Sequence, residues 1–117
     1  MKAIVKSMWV NSPTIDLDSY FPDDPENFSL WIELRVGPDD SSGADDYRVL
    51  VCTPEWLHQN VKEPRWGRHM LIVEEYDRSA IEASILDYVA KCMGDGWRDI
   101  AEKIARNLSW EFEDYRE

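Results

Sequence analysis

The sequence predicts an α+β fold, an antiparallel sheet of about four to five strands with two C-terminal helices packed on one face. Three observations carry this expectation. Apolar residues alternate with period two through the N-terminal half, most clearly from Phe28 to Val36. From Ser79 to Leu108 they return instead at every third or fourth position. The chain has 117 residues, enough for one hydrophobic core but marginal for two, so residues 1–117 are read as a single domain.

Residues 2–10 alternate loosely and include β-branched and aromatic members, which predicts a first strand with Ala3, Val5 and Trp9 facing inward. The following stretch, through Pro13, Pro22 and Pro25, has turn residues and acids but no period, and reads as a long ordered loop. Phe28, Leu30, Ile32, Leu34 and Val36 then occupy every second position, with Trp31 among the residues turned the other way. Gly37-Pro38 and the polar run Asp39 to Asp46 connect this second strand to a third, Tyr47 to Thr53, as a hairpin with an acidic tip.

Thr53 before Pro54 is a helix start signal, since the hydroxyl can cap free N–H groups and proline suits the first helical position. Met70 to Tyr76 reads as a fourth strand. Ser79-Ala80-Ile81-Glu82 has the form of a capping box, and Ile81, Ile85, Leu86, Val89, Cys92 and Met93 supply the apolar stripe of the helix it would open. Gly94 and Gly96 end that helix. The next carries Trp97, Ile100, Ala101, Ile104 and Leu108 inward, with Asp99–Lys103 and Glu102–Arg106 as candidate ion pairs. Ser109 to Glu113 alternates again, as either a short edge strand or a packed tail.

Charge narrows the function classes. Twenty-four acids against thirteen bases give a net charge of −11, which opposes nucleic-acid backbones and anionic membranes and favours a basic protein partner. The excess is concentrated. Thr14 to Asn27 holds Asp16, Asp18, Asp23, Asp24 and Glu26, and Pro38 to Asp46 holds Asp39, Asp40, Asp45 and Asp46, with no base in either segment. Fifteen acids therefore remain to face all thirteen bases elsewhere. Acidic loops also serve as plain solvated loops, but if both clusters lay at one rim of the sheet they would form a single surface able to speed association with a basic partner.

No apolar run reaches the roughly 18 residues of a membrane span, and the N-terminus lacks the character of a signal peptide, so the chain is expected to act as written. Cys52 and Cys92 sit in apolar segments without disulfide-scaffold spacing, which fits a reducing cytoplasm. The two histidines, His58 and His69, match no metal or triad spacing. Asp39 to Asp46 has the composition of a calcium loop, but its sixth position is Ala44 where the turn needs glycine. The many carboxylates stand in hydrophilic loops, where both members of an acid/base pair would stay ionised. No cofactor, no metal and no catalytic residue is therefore expected. Candidate partner contacts are Asp16, Asp18, Asp23, Asp24, Asp39, Asp40, Asp45 and Asp46, with Trp31 on the sheet and Trp66 between Arg65 and Gly67 as aromatic anchors. Trp66 either projects from its loop or caps the core beneath it.

The strand from Phe28 to Gly37, the strand from Tyr47 running into Pro54-Glu55-Trp56-Leu57, the segment Leu71 to Asp77 and the terminal Trp110-Glu111-Phe112 together resemble the immunity protein 8 family. The similarity spans nearly the whole chain, and none of these segments is a catalytic signature. It implies an α+β cytosolic antidote that binds the C-terminal toxin domain of a bacterial polymorphic or contact-dependent growth inhibition system and blocks its active site or substrate access. It names no universal binding residues, so those above come from charge and exposure alone. The competing expectation is an acidic protein-binding adaptor with no toxin partner.

Overall fold

Phe28, Leu30, Ile32, Leu34 and Val36 are all buried, as their alternation requires, and they define the inner face of a strand running from Ser29 to Pro38. The computed structural model describes residues 1–113. In it this strand, β2 (Ser29–Pro38), lies between β1 (Ala3–Trp9) and β3 (Asp45–Cys52), antiparallel to both. The sheet is mostly antiparallel, with the order β1-β2-β3-β4. The second edge of β3 is shared. β4 (Met70–Ile72) pairs in parallel with Leu50–Cys52, and β5 (Ser109–Trp110) pairs antiparallel with Tyr47 and Arg48.

A bulge in β1 resets its inward face. Val5 pairs with Val36 but Ser7 pairs with Arg35, which leaves Lys6 as an extra residue. Ala3 and Val5 point into the core before the bulge, Met8 and Val10 after it. Trp9, expected to face inward, is therefore on the outer face opposite Glu33, with the Arg35 guanidinium 5.9 Å from its ring centre. Gly37 is needed at the other end of the hairpin, because a Cβ there would lie 2.1 Å from the carbonyl oxygen of Gly43.

The fourth strand is shorter than the apolar run suggests. After Ile72 one more ladder bond forms, from Val73 N–H to the Cys52 carbonyl at 2.9 Å, and the chain then turns so that Tyr76 is buried. The link from β3 to β4 contains α1 (Pro54–Asn60), capped by the Thr53 hydroxyl, which accepts from Trp56 N–H at 3.3 Å and from Phe28 N–H at 3.4 Å. Among the described residues no helix is long and apolar enough to cross a membrane.

α2 (Arg78–Lys91) and α3 (Trp97–Ile104) cover the inner face. Ile81, Ile85, Val89, Cys92, Ile100, Ile104 and Leu108 share one core with Ile32, Leu34, Val49 and Val51. Leu86 and Met93, placed on the apolar stripe from spacing, are exposed. The α2 cap is also displaced: Asp77, and not Ser79, accepts from Ala80 N–H at 3.1 Å, because the helix starts one residue before Ser79. On α3 the Asp99–Lys103 pair forms at 3.6 Å, but Glu102 pairs backward with Arg98 at 3.1 Å and not forward with Arg106. Helix residues end at Ile104, so Arg106 no longer sits one helical turn beyond Glu102.

The displaced cap is testable. Asp77→Ala is expected to lower stability by about 1 kcal/mol, as loss of an N-cap does, while Ser79→Ala changes it by less than about 0.5 kcal/mol. Urea unfolding followed by circular dichroism distinguishes the two; equal losses would restore Ser79 as the cap.

Candidate partner-binding surface

The two acidic segments lie at opposite ends of the sheet. The loop carrying Asp16 to Glu26 enters β2 at Ser29, whereas Asp39 and Asp40 follow its other end at Pro38. With ten residues in β2 at about 3.3 Å each, these ends stand roughly 30 Å apart. The single acidic rim that would have joined them does not form.

At the first end the loop is held by packing and hydrogen bonds. Leu17 enters the core and Ile15 and Tyr20 pack against it, while Asp16, Asp18, Asp23 and Asp24 all remain exposed. Asp16 and Asp24 each accept a backbone N–H two residues ahead, at 3.1 and 2.9 Å, which fixes two tight turns. Arg78, in the first turn of α2, donates to the Leu17 carbonyl at 2.7 Å and to Asp18 at 3.3 Å. The Tyr76 N–H donates to the Pro25 carbonyl at 2.7 Å. The loop is thus ordered by its own ties to α2.

At the second end the four acids divide. Asp39 and Asp40 are exposed in the hairpin turn. Asp45 and Asp46 belong to β3 and have structural partners. The Asp45 carboxylate accepts from the indole N–H of Trp97 at 2.9 Å and of Trp110 at 3.1 Å, which fastens α3 and β5 to β3. Asp46 pairs with Arg35 at 3.0 Å, and its backbone N–H donates to Glu111 at 2.9 Å. The sequence shows four equivalent acids here because the partners of Asp45 are more than fifty residues away.

Trp31 is 38% exposed on the outer face, with the Arg48 guanidinium 4.3 Å from its ring centre. Trp66 projects from its loop and is 92% exposed. Arg35, Arg48, Glu33 and Asp46 share the outer face with Trp9 and Trp31, so its charges offset one another. Burial pushes the Glu33 carboxyl above the ordinary range, Arg48 lowers it and Asp46 raises it again. Glu33, Asp46, Arg48 and Glu111 border a shallow cleft of about 200 Å³.

Among the reactive side chains, both thiols and His69 are packed, whereas His58 on α1 is exposed. Cys52 and Cys92 are buried and free, and burial pushes both thiols up. His69 adopts a left-handed backbone, φ 63°, and its Nε2 lies 3.1 Å from the Ala105 carbonyl; since a carbonyl only accepts, that nitrogen carries the proton. A second cavity, about 200 Å³, is lined by Val49, Leu71, Ile85, Tyr88 and Leu108 and contains no carboxylate. Among the described residues no group of three or more His, Cys, Asp or Glu is placed to hold a metal ion.

Sequence comparison decides the family. The profile of immunity protein 8 matches residues 3–115, nearly the whole chain. The chain belongs to the immunity protein 8 family. No curated protein and no solved structure matches it. For an immunity protein the features of interest are surfaces that can engage another protein, and the described residues offer three candidates: the acidic loop, the hairpin tip with Asp39 and Asp40, and the exposed rings of Trp31 on the outer sheet face and Trp66 in its loop.

Two substitutions separate surface from scaffold. Asp45→Ala leaves two indole N–H groups without an acceptor and is expected to cost about 2 to 4 kcal/mol in urea unfolding, whereas Asp39→Ala stays within about 0.5 kcal/mol. A stable Asp45→Ala chain would mean that the carboxylate fastens nothing. Glu33→Gln is expected to be more stable than the parent at neutral pH. A carboxyl raised by burial weakens the folded state when ionised, and the penalty disappears below the unfolded-state range. The difference in melting temperature should accordingly shrink as pH falls towards 4; a growing difference would reverse the assigned cause.

Proposed function

We propose that this immunity protein binds the toxin domain encoded beside it, from a contact-dependent growth inhibition or related polymorphic toxin system, and neutralises it in the cytoplasm by covering its active site. The family membership supports an immunity role. The observation that carries the reading further is the exposure of Asp23, Asp24, Asp39 and Asp40, which form no ion pair among the described residues. Such carboxylates attract a cationic surface, and a toxin built to hold a phosphate backbone has one in its active site. Seated there, the chain would act by exclusion with no chemistry of its own. The aromatic contacts would supply the desolvated centre that long-range charge does not.

The test is co-purification of the tagged chain with the neighbouring toxin domain, together with growth of cells expressing that domain with and without the chain. A stable complex and restored growth are expected. A toxic neighbour that neither binds nor is neutralised would overturn the proposal and favour the adaptor reading.

A further inference from the structure

The three surfaces differ in what they could hold. The hairpin tip has acids but no exposed aromatic ring, and the outer sheet face has Trp9 and Trp31 but sets Arg35 and Arg48 against its acids. Trp66 stands between Arg65 and Arg68 in sequence. Only the acidic loop combines uncompensated carboxylates with an exposed ring, that of Phe21, which is 66% exposed.

Phe21 does not simply project into water. Its ring meets Tyr76 edge-on, with centroids 5.6 Å apart at 86°, and Tyr20 and Phe28 contact the same tyrosine at 5.5 and 5.2 Å. Tyr76 is 6% exposed, yet its hydroxyl has no hydrogen-bond partner among the described residues. The edge-on contacts from Tyr20 and Phe21, with the backbone bond to Pro25, place the Tyr76 ring beneath the loop. A buried hydroxyl left without a partner is unusual and calls for an explanation. The fold also brings a third acidic run to this end: the Tyr76 bond to Pro25 ties Glu74, Glu75 and Asp77 to the loop. With Asp16, Asp18, Asp23, Asp24 and Glu26 these make eight acids, and Arg78 pairs with Asp18.

We infer that this end of the sheet is the docking site for a lysine or arginine side chain on the basic surface of the partner toxin. The Phe21 ring is its aromatic contact, Asp23 and Asp24 are its counter-charges, and the Tyr76 hydroxyl is an acceptor at its floor. The inference rests on the immunity reading and names the surface that carries it. A cation over an aromatic face gains from the ring's own charge distribution, and more so where a partner excludes water. Phe21 is the residue that composition and spacing pass over, because an aromatic between Tyr20 and Pro22 in an aperiodic loop has no pattern to mark it.

The experiment measures binding of the neighbouring toxin domain, inactivated, to the full chain and its variants, with melting temperatures confirming the fold. Phe21→Ala is expected to raise Kd at least about tenfold. Asp23→Lys with Asp24→Lys is expected to slow association about tenfold or more at low salt, and the effect should fade as salt is added. Tyr76→Phe should weaken binding severalfold without lowering the melting temperature. Asp95→Lys, in the exposed turn beyond the C-terminal end of α2, should change Kd less than threefold. If the wild-type chain binds and the Phe21 and Asp23/Asp24 variants bind as tightly and as fast, the inference is overturned while the immunity reading stands. Tyr76→Phe at wild-type affinity would remove the hydroxyl from the site. A wild-type chain that does not bind overturns the immunity reading and this inference with it.

Discussion

The second edge of β3 has to be satisfied by two strands too short to form alone, and the rest of the architecture follows from how that is done. β4 contributes three residues and β5 two, from segments almost forty residues apart in the chain. Neither has the length to persist unaided. β4 arrives by the crossover through α1, and β5 is held because Asp45 takes the indole N–H of Trp110 while also taking that of Trp97 at the start of α3. The Trp110 ring stacks on Tyr47 at 6.4 Å, and the Tyr47 hydroxyl donates to the Ala101 carbonyl inside α3. One short stretch of β3 therefore closes the sheet edge and seats the last helix together.

That arrangement decides where charge can act. An acid used as a fastener is partly withdrawn from the surface field, so the hairpin end offers chiefly Asp39 and Asp40, while the loop end keeps its acids and gains Glu74, Glu75 and Asp77 from the turn before α2. The sheet acts as a spacer between two negative ends of unequal strength. At ordinary salt the screening length is about 8 to 10 Å, far less than the separation of the ends, so a partner close to one end scarcely feels the other. Long-range attraction would favour the loop end, and contact with both ends would need a partner that spans the sheet.

Much of this fold was legible because its main strands obey local rules. The alternation from Phe28 to Val36 reports burial directly, since Leu30, Ile32, Leu34 and Val36 enter the core while Trp31 and Arg35 between them are exposed. Thr53 before Pro54 likewise reports a helix start. What escaped the sequence depended on distant residues or on a shift of one or two positions. The bulge at Lys6 moves Trp9 to the outer face, and the start of α2 two residues earlier than a Ser79 cap implies hands the cap to Asp77. The parallel pairing of β4 is invisible locally, because a three-residue apolar strand looks the same in either direction. For the surface, net charge treated Asp45 and Asp39 alike. Only the indoles of Trp97 and Trp110, far along the chain, distinguish them.

The loop end divides its work between two sets of residues. Leu17, Arg78 and the backbone bond from Tyr76 to Pro25 hold the loop in place, and each is buried or directed inward. Asp23 points to solvent and contributes little to that hold, while Phe21 and Asp24 are exposed but also tied into it, by the Tyr76 ring and the Glu26 N–H. Because the anchoring groups fix the backbone, a partner that engaged the exposed side chains would find less conformational freedom left to lose, which would raise affinity without further contacts. The same separation lets the exposed set be replaced without refolding the domain, since substitutions at solvent-facing loop positions rarely disturb a core. If the loop is the partner site, a scaffold built this way could be matched to different cationic surfaces by changing a few loop residues, while β2, β3 and the two helices that cover them stay as they are.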